Sequence, residues 1–209
     1  MKLNQLKNPL LNLTFFFVWC SVISEYVIYV LHSEDFFLVS VLHVSLYFTI
    51  LANLLIGLSV GAFLFSNRFP SLRLFSSAKF STANLSYITI VAIVYNVLIR
   101  NTWNPEGIEI IIQEFLHVVN PLAFFAYWIV FIDTKALKYG DAVTFLLFPF
   151  VYLMITFFRG SLTGFYPYWF LDVGKMGWIT VSAYSFGLFL VFLAFGLGYI
   201  FLGKRKSNL

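Results

Sequence analysis

Residues 36–65 read FFLVSVLHVSLYFTILANLLIGLSVGAFLF, thirty positions without one Asp, Glu, Lys or Arg. About 20 apolar residues at 1.5 Å rise cross the hydrocarbon core of a bilayer, so this stretch is long enough to span it as a helix. It shows none of the ten-residue blocks of period-two alternation that mark a membrane barrel, and only a helix otherwise satisfies the backbone in lipid. Along it Ser45, Thr49, Asn53, Gly57 and Gly61 recur every four residues and fall on one stripe.

Working outward, five more segments meet the same criterion, giving spans at about 10–31, 36–65, 83–99, 108–132, 142–158 and 178–202. Composition agrees: 61% of the 209 residues are hydrophobic and 11% charged, against about 45–50% and about 25% in a soluble domain. A water-soluble domain, a disordered chain, a collagen-like repeat and a nucleic-acid-binding module are excluded. The longest connections, Ser66–Thr82 and Arg159–Gly177, are too short to carry a core of their own. The expected fold is all-α: a polytopic membrane helical bundle of six transmembrane helices in a single domain.

Charge sets the expected orientation. Lys2, Lys7, Arg68, Arg73, Lys79, Lys135, Lys138, Lys204, Arg205 and Lys206 fall on one side of such a bundle, and Arg100, Arg159 and Lys175 on the other. Cytoplasmic loops carry the excess of Lys and Arg, so both termini are expected to be cytoplasmic. The first span is too long for the apolar core of a signal peptide and lacks a small-residue cleavage site, and so reads as a retained helix. The single Cys20 lies in an apolar run behind bulky Trp19, which leaves no disulfide, no cysteine metal site and no lipidation site. No nucleotide-binding or zinc-protease motif is present, and neither a metal nor another cofactor is expected.

In so apolar a chain, polar groups at membrane depth are the candidates for function. On the second span Gly57 and Gly61 read as a close helix–helix contact, and Ser45 as a hydroxyl bonded back to its own helix. Thr49 and Asn53, deeper, are harder to dismiss. The fourth span carries Glu109, Gln113, Glu114, His117 and Asn120, followed by Pro121. Pro121 cannot donate to the carbonyl of His117, which predicts a kink there. Thr49 and His117 are expected at depths of roughly 20 and 14 Å below the same end of the bundle, near enough to meet. Glu25 in the first span needs a partner that spacing does not name. The stretch from Arg159 to Asp172, rich in aromatics and glycine, reads as an interfacial belt or as a lid in which Arg159, Tyr166 and Trp169 touch substrate.

Several motifs then point to a family. Tyr47-Phe48-Thr49-Ile50-Leu51 and Leu116-His117, on six spans, resemble the androgen-induced-gene family of membrane threonine hydrolases, which includes the androgen-dependent TFPI-regulating protein. Trp103-Asn104-Pro105, His117-Val-Val-Asn120-Pro121 and Gly164-Phe-Tyr166-Pro167-Tyr168 are more similar still to its uncharacterised bacterial six-span relatives. The resemblance implies a bacterial inner-membrane protein that cleaves fatty acid esters of hydroxy fatty acids, with Thr49 as nucleophile and His117 as base. One departure stands out: the animal pattern has two histidines one turn apart, and Asn120 occupies the second position here.

The leading expectation is therefore an intramembrane hydrolase of lipid-like esters. In it Asn53 or Asn120 donates to the oxyanion and Glu114 orients the imidazole. Its partners are membrane lipid or a fatty-acid-derived substrate. The alternatives are a small transporter or channel lined by the polar faces, a non-catalytic binding or assembly protein, and a b-type haem protein ligated by His43 and His117.

Overall fold

The computed structural model describes residues 8–102 and 104–207; Lys2, Lys7 and Trp103, used above for charge and for a motif, lie outside them. Every regular element among the described residues is helical. The chain begins with α1 (Pro9–His32), whose first amides are capped by the Asn8 side chain and whose first residue is a proline, the residue suited to that position. Then follow α2 (Phe37–Ser45), α3 (Phe48–Phe65), α4 (Ala78–Val94), α5 (Ile108–Glu114), α6 (Asn120–Phe131), α7 (Asp141–Phe145), α8 (Leu147–Thr163) and α9 (Val173–Lys206). Among the described residues six stretches are long and apolar enough to cross a membrane: Pro9–His32, Phe48–Phe65, Ala78–Ile99, Ile108–Phe131, Asp141–Thr163 and Val173–Lys206. The chain is a multi-pass membrane protein.

Three boundaries differ from the hydropathy reading. The 36–65 run is two helices, broken at Leu46 and Tyr47, so only its second part, from Phe48, forms a spanning helix. The third span starts earlier, at Ala78, because Ser77 caps it by accepting from the Phe80 amide. The last begins at Val173, capped by Asp172, and is interrupted at Gly177, whose φ of 75° is left-handed and favours glycine.

Helices α3 and α4 form the centre: 61% and 56% of their spanning windows are buried, against 22% for those of α1 and α9. Helix α1 lies close on α3 because Gly57 and Gly61 have no side chain. A Cβ on Gly57 would stand 3.1 Å from Val18, and one on Gly61 3.0 Å from the Phe15 ring. This is the small-residue packing expected of that stripe. Phe48 anchors the other side of α3, its ring meeting those of Tyr87, Phe148, Tyr152 and Phe192 at centroid separations of 5.0–6.3 Å.

The end of the bundle that holds the last turn of α9 is tied by polar contacts. The Lys206 ammonium donates to the carbonyls of Trp128, Ile129 and Ile132 (3.1, 2.9 and 2.6 Å) at the end of α6, of which Trp128 also accepts from the Ile132 amide. Thr134 donates to the Gly203 carbonyl (2.8 Å), and Lys79 pairs with Asp141 (2.9 Å).

Candidate active site

The break in the second run creates the site. Leu46 and Tyr47 turn the chain so that α3 restarts at Phe48, with Thr49 in its first turn. Irregular backbone at membrane depth persists only where protein groups satisfy it. Here two tyrosines do so: Tyr152 of α8 donates to the Leu46 carbonyl (2.9 Å), and Tyr168, in the loop after α8, accepts from the Thr49 amide (3.3 Å).

A second irregularity faces the first. Residues Phe115–Val119 form a π turn between α5 and α6, in which the Asn120 amide reaches back to the Phe115 carbonyl. Pro121, which has no N–H, follows directly. The predicted distortion is present and takes the form of a π turn, a feature that often marks functional positions. A matching π turn, Tyr95–Ile99, ends α4. Tyr95 and His117 stack on each other across the two, their centroids 3.7 Å apart and their planes within 12°.

His117 is 5% exposed. Its Nδ1 stands 3.0 Å from the Gln113 carbonyl and its Nε2 3.3 Å from Thr49 Oγ1. A carbonyl only accepts, so Nδ1 carries the proton of the neutral ring and Nε2 presents its lone pair to the Thr49 hydroxyl. The tautomer follows from the network. A hydroxyl donating to an oriented imidazole is the arrangement by which an alcohol becomes a nucleophile.

The other candidates are placed differently from the expectation. Asn53 and Asn120 are fully buried, but their amide groups are committed. Asn53 donates to the carbonyls of Thr49 (2.9 Å) and Leu116 (3.2 Å), and Asn120 donates to Ser21 Oγ and Asn53 Oδ1 (both 2.8 Å). They bind α1, α3 and the π turn together, so neither has a proton left for an oxyanion. Glu114 faces outward and pairs with Arg100 at 2.6 Å, while the Gln113 backbone carbonyl orients the imidazole in its place. Position 114 falls at the edge of the His117 face, as the last residue of α5 before the π turn. Ser45 donates to the Val41 carbonyl (2.6 Å) and receives the Tyr26 hydroxyl (2.8 Å).

Of the proposed lid residues, Arg159 lies 4.5 Å over the Phe165 ring, Tyr166 fills the space beside Gly160, and Trp169 is 45% exposed. None of the three meets Thr49; Tyr168 from the same loop does. His43, weighed with His117 as a haem-ligand pair, is turned to Asp35 (3.3 Å) and stacked on Phe165. Glu25 finds its partner in Gln113 Nε2 (2.9 Å), beside a polar cavity of about 390 Å³ that Tyr29, His32 and Glu109 also line.

Residue-by-residue reading missed Tyr95, Tyr152, Tyr168 and the Gln113 carbonyl. The only signal for Tyr168 was its place in the Gly-Phe-Tyr-Pro-Tyr motif. The others act through fold geometry that no spacing encodes.

Thr49 and Tyr168 open onto an apolar cavity of about 80 Å³, walled by Phe48, Val91, Val94, Leu188 and Phe192 among others. The fold and site thus define a six-span membrane protein with a hydroxyl–imidazole pair, its imidazole buried and its hydroxyl half-buried, at the mouth of a small apolar chamber. No family model matches the chain, and no curated protein or solved structure matches it either.

Proposed function

We propose that this protein is an intramembrane hydrolase of lipid-like esters, such as fatty acid esters of hydroxy fatty acids, with Thr49 as nucleophile and His117 as general base. One observation carries the reading: Thr49 Oγ1 lies 3.3 Å from an imidazole nitrogen whose opposite nitrogen is held by a backbone carbonyl. The apolar cavity of about 80 Å³ beside Thr49 has room for the few acyl carbons next to an ester carbonyl. The motifs shared with membrane threonine hydrolases agree with it, and a single histidine meets the chemical need even though Asn120 stands at the family's second histidine position.

In this mechanism Thr49 Oγ1 attacks the ester carbonyl carbon as His117 Nε2 takes the hydroxyl proton. The tetrahedral intermediate collapses, the C–O bond to the leaving alcohol breaks, and His117 returns the proton to that alcohol. Water then attacks the acyl-threonine with His117 as base, releasing the acid and restoring Thr49. The resting pair is neutral, which suits a site in a low-dielectric bundle. The excess of Lys and Arg at the end holding the termini supports a cytoplasmic position for both, with the site in the outer half of a bacterial inner membrane.

The test is labelling of the purified protein with a fluorophosphonate probe, followed by mass spectrometry. Thr49 is expected to be the labelled residue, Thr49→Ser to keep labelling and Thr49→Ala to abolish it. Labelling that survives Thr49→Ala excludes Thr49 as nucleophile.

A further inference from the structure

We propose that the amides of Phe48 and Thr49 form the subsite for the substrate's carbonyl oxygen, and that the phenol oxygen of Tyr168 fills this subsite at rest and is displaced by an entering ester. The inference rests on the reading of Thr49 as nucleophile and deepens it.

The first amides of a helix have no carbonyl one turn back. In α3 the Ile50 and Leu51 amides are taken by the Tyr47 carbonyl (3.0 and 3.2 Å), which leaves those of Phe48 and Thr49 to other acceptors. The Thr49 amide donates to Tyr168 Oη at 3.3 Å, and the Thr49 hydroxyl and the Phe48 backbone lie near the same oxygen, the Phe48 backbone being near the Tyr152 phenol as well. An oxygen that accepts from the nucleophile's own amide while touching the nucleophilic hydroxyl stands where an attacked carbonyl must put its developing charge. The 3.3 Å bond is at the long end for N–H to oxygen, weak enough for a substrate oxygen to replace.

The cavity supplies an independent sign of a ligand. It is lined by both Thr49 and Tyr168, and the Ser185 hydroxyl also lies in its wall, 7% exposed and without a hydrogen-bond partner. A buried hydroxyl left unmatched by protein in an otherwise apolar chamber fits a site whose occupant brings a polar atom. The Tyr168 ring packs against the core, edge-on to Tyr47 at 6.1 Å and stacked on Phe170 at 5.3 Å. Phe170 and Leu171 are buried and pin the loop, so the movement required is that of the ring. Burial raises the affinity of the phenol for its proton, and the oxygen in the subsite at rest is a neutral hydroxyl.

A residue that merely capped the helix break would behave otherwise when its oxygen is removed. In Tyr168→Phe the subsite is vacant, and the second-order rate of fluorophosphonate labelling at Thr49 should rise about 2- to 12-fold, the equivalent of one ordinary hydrogen bond. An unchanged or slower rate, with the wild-type protein labelled, overturns this inference and leaves the hydrolase reading intact. No labelling of Thr49 in either protein overturns both. A second measurement needs no variant: with 3-fluorotyrosine placed site-specifically at 168, its resonance should shift when the protein is phosphonylated. A stationary resonance overturns the displacement.

Discussion

The two ends of this bundle are built on different rules. Toward the termini the contacts are mainly those of close packing: Gly57 and Gly61 against α1, Gly203 against Thr134, and the Lys206 ammonium on the last carbonyls of α6; the fifth span is also broken there, at Leu146, with the Phe145 carbonyl taken by the Tyr87 hydroxyl. Around Thr49 three spans depart from regularity. The second span breaks at Leu46 and Tyr47, and α4 and the fourth span each carry a π turn. At the break and beside the second π turn a side chain takes a backbone group: Leu46 by Tyr152, Thr49 by Tyr168, Gln113 by His117. The concentration of these departures around one hydroxyl–imidazole pair separates a part of the molecule built for stability from a part built to hold reactive groups.

Substitutions in the two regions should therefore separate activity from stability. The largest effect is expected from His117→Gln, which keeps a polar side chain and removes the base. Probe labelling of Thr49 should fall by roughly 100- to 10,000-fold, with little change in the thermal midpoint in detergent; unaltered labelling would remove His117 from the chemistry. Next, Gly61→Leu drives a side chain into Phe15 and should cost about 1–3 kcal/mol of stability. Its labelling, corrected for folded fraction, should match wild type; a specific loss would show that the packing contact and the site are coupled. Lys206→Met removes the ammonium from three carbonyls, of which Trp128 keeps the Ile132 amide, and should lower stability by about 1 kcal/mol, again without changing labelling of the folded protein. The smallest effect belongs to Glu114→Gln. Its pair with Arg100 is 39% exposed on each side, so stability should change by less than about 1 kcal/mol. Because Glu114 does not touch His117, labelling should stay within about twofold; a loss on the scale of His117→Gln would restore it to an orienting role.

How much of this was legible follows from the range over which each feature acts. The six spans, the small-residue face of Gly57 and Gly61 and the distortion at Pro121 are consequences of residues within a turn or two of one another. The pairing of Thr49 with His117 was accessible because two helices descending from one end bring residues of similar depth together. The roles of Asn53, Asn120 and Glu114 were not, since each depends on a competition among neighbours. The asparagine amides found backbone and side-chain acceptors across three segments, and Glu114 found Arg100 on the adjacent helix. Thr49 sits at the start of a helix, where the hydropathy of 36–65 suggested the middle of one. An unbroken apolar run carries no mark of a break whose freed groups are satisfied by side chains more than a hundred residues away.

By itself, then, the order of amino acids determined that this chain lives in a bilayer as helices, because apolar length and the demand of every peptide group for a partner leave no other solution. It also determined which few polar residues lie at depth. The tertiary structure decided what those residues do: which amides are spent, which carbonyl turns the imidazole, and which tyrosine stands over Thr49. Hydrogen bonds are short and directional, so sharing a depth leaves their partners unspecified until the helices have packed.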